Sequence, residues 1–333
     1  MSSSKSGEST AAREILDLVQ EDLRRVEREI EVETLASANA VTTISRYLSG
    51  NGGKRLRPTL LLLSARLAGT VTPSAIRLGA VVEMIHTATL VHDDIIDLAE
   101  TRRGKPSTNV LFGNHTSVLA GDWLYMQAFQ IALRERNFHV LDILIALTQM
   151  MVEGELVQME RLGRIGISEA DYMELVDRKT AGLFSACARL GATVAGASDD
   201  VEARLGEYAW NLGMAFQLID DVLDFTAQES VLGKPVGGDL REGKITLPAI
   251  YALEECSAEQ RALLETVLRE RSYDTVPFPT VLHLLQSTGG LDRARERAHS
   301  FADQARAVMA TFPESPYRRA LASAADLVIE REF

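Results

Sequence analysis

The sequence predicts an all-α protein, because apolar residues recur at helical spacing almost throughout, helix-start signals are explicit, and strand patterns are nearly absent. Aromatic residues are 6% of the chain, and no convincing period-2 hairpin pair stands out. Taken in order, residues 1–10 are Ser-rich and polar with no apolar core, which predicts a frayed tail rather than a signal peptide. From Ala11 to Ala36, charged and apolar residues mix with neither Gly nor Pro, predicting one long amphipathic helix. Thr72-Pro73 pairs an N-cap with Pro at the first helical position and opens a helix running toward Leu98. Ser168-Glu-Ala-Asp starts another that continues past Arg189, and Ser257-Ala-Glu-Gln260 has capping-box spacing. Breaks fall at Ser49–Gly53, Arg102–Ser107, Gly163–Gly166, Ala195–Asp199 and Glu229–Gly243. None has the length of a domain linker, so residues 11–333 are expected to form a single domain.

Bulk composition removes several classes of function. The chain has 333 residues, 46% apolar and 25% charged, enough to bury a core without staples. Its two cysteines, Cys187 and Cys256, are far apart, which excludes a disulfide framework or zinc ribbon and suits a reducing cytoplasm. A formal net charge of −12 argues against a nucleic-acid surface. No run reaches the roughly 18 apolar residues of a spanning helix, so no transmembrane segment is expected.

One motif occurs twice. His92-Asp93-Asp94-Ile-Ile-Asp97 and Ile219-Asp220-Asp221-Val-Leu-Asp224 both contain Asp-Asp-x-x-Asp after an apolar helical stretch. Positions i and i+4 share a helix face, so Asp93 and Asp97 point one way, as do Asp220 and Asp224. Like charges at that spacing cost about 0.2–0.5 kcal/mol in a helix, a cost that bound divalent cations remove. Mg²⁺ takes carboxylate and phosphate oxygens, so two such clusters facing each other suit a diphosphate. A solvated acidic face explains one cluster about as well; two copies at identical spacing make it the weaker explanation.

A metal-bound diphosphate needs further cations. Gly52-Gly53-Lys54-Arg55-Leu56-Arg57-Pro58 sets basic groups at a loop-to-helix junction, a natural anion site. Arg102-Arg103 follows the first cluster, and Lys234 and Lys244 lie in the glycine-rich segment after the second. Singly each reads as a surface charge; their shared proximity to the aspartates favours ligand roles.

These residues bring the chain close to a known pattern. It resembles the bacterial trans-isoprenyl diphosphate synthases of the long-chain, octaprenyl type, through GGKRLRP (52–58), HTATLVHDDIID (86–97), TRRGKPS (101–107), GNHTSVLAGDWL (113–124), EGELVQ (153–158), RKTAGLF (178–184), GMAFQLIDDVLDF (213–225) and LGKPVGGDLREGKITLP (232–248). The blocks span about residues 40 to 250 in order, with no departure at a motif position. The resemblance implies ten or more helices around a deep cavity, usually in a homodimer, and head-to-tail condensation of isopentenyl diphosphate onto an allylic diphosphate. It implies that Asp93, Asp97 and Asp220, supported by Asp94, Asp221 and Asp224, bind three Mg²⁺. Arg102, Lys179, Lys234 and Lys244 are then expected on the allylic diphosphate. Lys54, Arg55, Arg57, His86 and Arg103 are expected on isopentenyl diphosphate, and Thr180 and Gln217 near the reacting carbons.

One turn before Asp93, the small Ala88 and Thr89 replace the aromatic that blocks the tail in short-chain members, with Ile85, Met84 and Val81 deeper. Leu147, Met150 and Met151 are candidates for the floor. The expectation is a product of six or more isoprene units, octaprenyl as the central value, of the kind used for quinone side chains and released to a membrane or carrier. A farnesyl or geranylgeranyl synthase lacks support at 88 and 89. A class I terpene cyclase has a different second motif, and a non-catalytic subunit would have lost aspartates.

Overall fold

The structure is a computed structural model that describes residues 10–35, 39–49, 55–102, 104–227 and 236–331. Thr72 accepts a bond from the Ala75 amide at 3.2 Å, and Ser168 and Ser257 both close full capping boxes, so each sequence-marked helix starts where its cap stands. In chain order the first helices are α1 (Thr10–Asp17), α2 (Gln20–Glu33), α3 (Asn39–Ser49), α4 (Leu56–Ala68), α5 (Pro73–Ile96) and α6 (Thr108–Phe112). Then come α7 (Asn114–Arg134), α8 (Phe138–Arg161), α9 (Glu169–Val176), α10 (Gly182–Val194) and α11 (Asp199–Thr226). The chain ends with α12 (Gly238–Arg241), α13 (Leu247–Glu255), α14 (Ala258–Glu270), α15 (Phe278–Ser287), α16 (Gly290–Ala310) and α17 (Pro316–Ile329). Among the described residues the only sheet is a hairpin pairing Thr101 with Pro106 and Arg102 with Lys105. The fold is all-α.

The single helix expected over 11–36 is two. A break at Leu18-Val19 lets α1 lie against α17 while α2 packs on α5, so Ile15 and Val26 are both buried beside different partners. The helix expected from Ser168 past Arg189 is continuous but changes pitch. Asp177–Ala181 forms one π turn between α9 and α10, closed by the Gly182 amide donating to the Asp177 carbonyl. Gly213 makes room for it: a Cβ there would stand 2.7 Å from the Ala181 Cα.

The core is built on α5 and α11. Ala80, Val81, Ile85 and Ala88 are fully buried on α5, which packs against α4, α7 and α10. This helix is long and apolar enough to cross a membrane by composition, yet most of it is buried inside the bundle. Its apolarity is that of a central helix covered all round. α11 packs on α10 and α16, and its last turns come alongside the end of α5 at one cavity.

Candidate active site

Both aspartate clusters sit at helix C-termini. Asp93 and Asp94 occupy the last turn of α5 with Asp97 as its C-cap, and Asp220, Asp221 and Asp224 end α11. Unpaired carbonyls give these ends negative character, so acidic residues are disfavoured there unless cations are close. Asp93, Asp97, Asp220 and Asp221 all line one cavity of about 440 Å³. The chain's own cations balance part of the charge. Arg102 donates to Asp94 at 2.7 Å, Lys244 reaches both oxygens of Asp97 at 3.1 Å, and Arg331 donates to Asp220 at 2.6 Å. Burial pushes Asp93 up to about 6, with Lys179 opposing and Glu155 and Asp97 adding to the rise. Burial likewise raises Asp94, and it raises Asp221 further with help from Asp239. Lys244 is lowered by burial, but Asp97 and Glu242 outweigh that and raise it overall, so it stays charged.

Asp94 and Asp224 face elsewhere. Asp94, one residue and about 100° round the helix from Asp93, lies in a neighbouring hollow with Arg102. Asp224 accepts the Asp239 amide at 3.1 Å and fastens the start of α12 to α11.

Of the basic residues expected here, Arg57, His86, Arg102, Lys179 and Lys244 line the cavity. Lys179 projects from the π turn, 2.5 Å from Glu155 and 3.0 Å from Gln158. Arg55 departs from expectation: it pairs with Glu83 at 2.6 Å and lines the adjoining hollow. Two acidic neighbours, Glu83 and Glu27, hold it there. Lys54, Arg103 and Lys234 lie outside the described residues.

Thr180 and Gln217 are joined: the Thr180 hydroxyl donates to Gln217 Oε1 at 2.8 Å. The chain-length residues separate. Thr89 lines the cavity, whereas Ala88, Ile85 and Met84 are buried outside its lining. At 100° per residue Thr89 lies about 40° from Asp93 and Ala88 about 140°, so only Thr89 shares the cavity face. Of the expected floor residues, Met151 lines the cavity beside Leu183 and Phe216, while Met150 packs on the bare Cα of Gly182. Tyr172 and Asp239 also line it and were not singled out from sequence. Asp239 had a signal in its glycine-rich segment; a lone helical tyrosine has none. A second hollow of about 520 Å³ is lined by His139, Arg189, Glu202 and Trp210. Its charges pair with one another through Glu202.

The donor set fits a hard divalent cation. Among the described residues no three acidic side chains converge to enclose an ion alone. Mg²⁺ is usually held by one or two carboxylates plus substrate phosphates and waters, which a wall bearing Asp93, Asp97 and Asp220 supplies.

A family model described as polyprenyl synthetase matches residues 38–284. The chain is 36% identical to the octaprenyl diphosphate synthase of Escherichia coli strain K12, covering 96% of this chain and 98% of that one. It is 37% identical to a geranylgeranyl diphosphate synthase of Methanosarcina mazei, over 87% and 89% of the two chains. The crystal structure of a polyprenyl synthase from Caulobacter crescentus CB15, complexed with calcium and isoprenyl diphosphate, superposes with a TM-score of 0.92 at 36% identity, covering 99% of both chains.

Proposed function

Because this chain belongs to the polyprenyl synthetase family, we propose that its cavity elongates an allylic diphosphate with isopentenyl diphosphate units to six or more isoprenes, octaprenyl as the central value. The enzyme is a divalent-metal-dependent prenyltransferase making long all-trans chains. The observation that carries the site assignment is that Asp93 and Asp97 at the end of α5 and Asp220 and Asp221 on α11 line one cavity beside Thr180 and Gln217. Identity alone does not set product length, since the Methanosarcina relative is named for a shorter product; the small Thr89 on the cavity wall supports the longer one.

Asp93, Asp97 and Asp220, with Asp221 beside them, would hold Mg²⁺ (three ions by family resemblance), which when bound would supply positive charge to offset that of the diphosphate. Arg102, Lys179 and Lys244, with Lys234, flank the allylic diphosphate, while Arg57 and His86, with Lys54 and Arg103, hold isopentenyl diphosphate. Arg55, committed to Glu83, is left out of that set. Ionisation breaks the allylic C–O bond and the diphosphate leaves with the electron pair. Lone pairs of Thr180 and Gln217 face the allylic cation where charge develops. The isopentenyl double bond then forms the new C–C bond, and the proton lost from its C2 passes to the released diphosphate.

An exposed apolar stripe supports pairing into a homodimer. Leu119, Met126 and Leu133 on α7, and Phe138, Ile145, Val152 and Met159 on α8, recur every seven residues and are all exposed. Such stripes are costly in water and suit a second copy. The chain is proposed to act in the cytoplasm and to release its product to a membrane or carrier. The test is incubation of purified protein with Mg²⁺, labelled isopentenyl diphosphate and several primers, with mass analysis of dephosphorylated products. Products of three or four units reassign it as a short-chain synthase, and no turnover as a non-catalytic subunit.

A further inference from the structure

Along the cavity wall, four polar groups form a directional chain. Thr180 donates to Gln217 Oε1 at 2.8 Å, Gln217 Nε2 donates to Asp221 Oδ1 at 2.8 Å, and the Tyr172 hydroxyl donates to Asp221 Oδ2 at 2.5 Å. Tyr172 and Asp221 are buried, and the four come from three elements: α9, the π turn and α11.

From this geometry we propose that Tyr172 is a positioning residue for the prenyl transfer, acting through Asp221 and Gln217. The inference rests on Thr180 and Gln217 facing the allylic cation. An amide has an electron-rich end and a proton-bearing end, and either fits the same space. Gln217 presents its carbonyl oxygen toward Thr180 because its NH₂ is consumed by Asp221. Thr180 in turn spends its only proton on that carbonyl, so its lone pairs are left for the cavity. Reversal of Gln217 would aim N–H dipoles at Thr180 and release the hydroxyl proton toward the cation, repelling it. Asp221 enforces the orientation while both of its oxygens accept, as they do here from Gln217 and Tyr172. A buried carboxylate oxygen without its donor is costly, and the group rotates to recover a bond. Tyr172, 49 residues from Asp221 in sequence, prevents that rotation.

The test is steady-state kinetics of a single condensation with Tyr172→Phe, Gln217→Ala and the double variant. Tyr172→Phe is expected to lower kcat about 10- to 100-fold with KM for both substrates within about threefold, the size of loss when a partner that orients the contacting groups is removed. Placed in the Gln217→Ala background, it is expected to cost nothing more, because the group it orients is gone. Wild-type kcat in Tyr172→Phe, or losses that multiply in the double variant, overturns the proposal. Where Phe at 172 compromises folding, 3-fluorotyrosine keeps the ring and hydroxyl while altering the donor; a change in kcat at constant KM supports the proposal and an unchanged kcat overturns it. The underlying reading fails separately: wild-type protein without condensing activity, or Gln217→Ala with full kcat, removes the premise rather than the role of Tyr172.

Discussion

Asp93→Asn should stabilise the metal-free protein while abolishing its activity. Burial pushes Asp93 up to about 6 from an ordinary 3.8, so the folded state disfavours its ionised form. A folded-state value above the unfolded one means that stability falls as pH rises through the interval between them. That rise in pKa is worth about 3 kcal/mol, fully expressed above pH 7 and about half expressed at pH 5. Asparagine has the same shape and no charge to lose. In excess chelator, Asp93→Asn is therefore expected to exceed wild type by about 3 kcal/mol at pH 8 and by roughly half that at pH 5. Urea denaturation followed by helical circular dichroism at both pH values measures this, and titrating groups remote from Asp93 cancel between the two proteins. With Mg²⁺ and diphosphate the order should invert, because only wild type keeps the full ligand set. A variant less stable than wild type in chelator, or an advantage independent of pH, would refute the idea that the site stores unfavourable charge for a cation to relieve.

Three further outcomes follow from the same geometry. Arg331 neutralises Asp220 in the metal-free site, so Arg331→Ala should lower the Mg²⁺ concentration for half-maximal activity about two- to fivefold; the pair is partly exposed, hence the modest size, and an unmoved midpoint counts against the competition. Thr89→Phe places a ring on the cavity wall and should give a stable enzyme whose product is several isoprenes shorter. Ala88→Phe overpacks the core, costs about 1–3 kcal/mol and leaves product length unchanged, with mass spectra and thermal melts separating the two. Met126→Glu combined with Ile145→Glu puts charges into the apolar stripe and should halve the mass seen by light scattering; a retained dimer places the interface elsewhere.

Local chemistry was legible without coordinates. The caps at Thr72, Ser168 and Ser257, the all-α class and the shared faces within each aspartate cluster depend only on residues three or four apart, and a helix places those by its own geometry. Even the separation of Thr89 from Ala88 was available from helical angle alone; counting one turn back without the angle admitted both. Packing decided what sequence neighbours cannot. The break at Leu18-Val19 arises because α1 and α2 lie on different helices, and the π turn at Asp177–Ala181 nests against Gly213 from α11. Arg55 reads as a phosphate ligand beside Lys54 and Arg57, but Glu83, 28 residues away, arrives first. Arg331 finds Asp220 across 111 residues and Tyr172 finds Asp221 across 49. The sequence by itself determined which groups the site would contain, because helix periodicity aims each one. Only the tertiary structure decided which charge each would meet, because partners distant in the chain are chosen by burial and by how the helices pack.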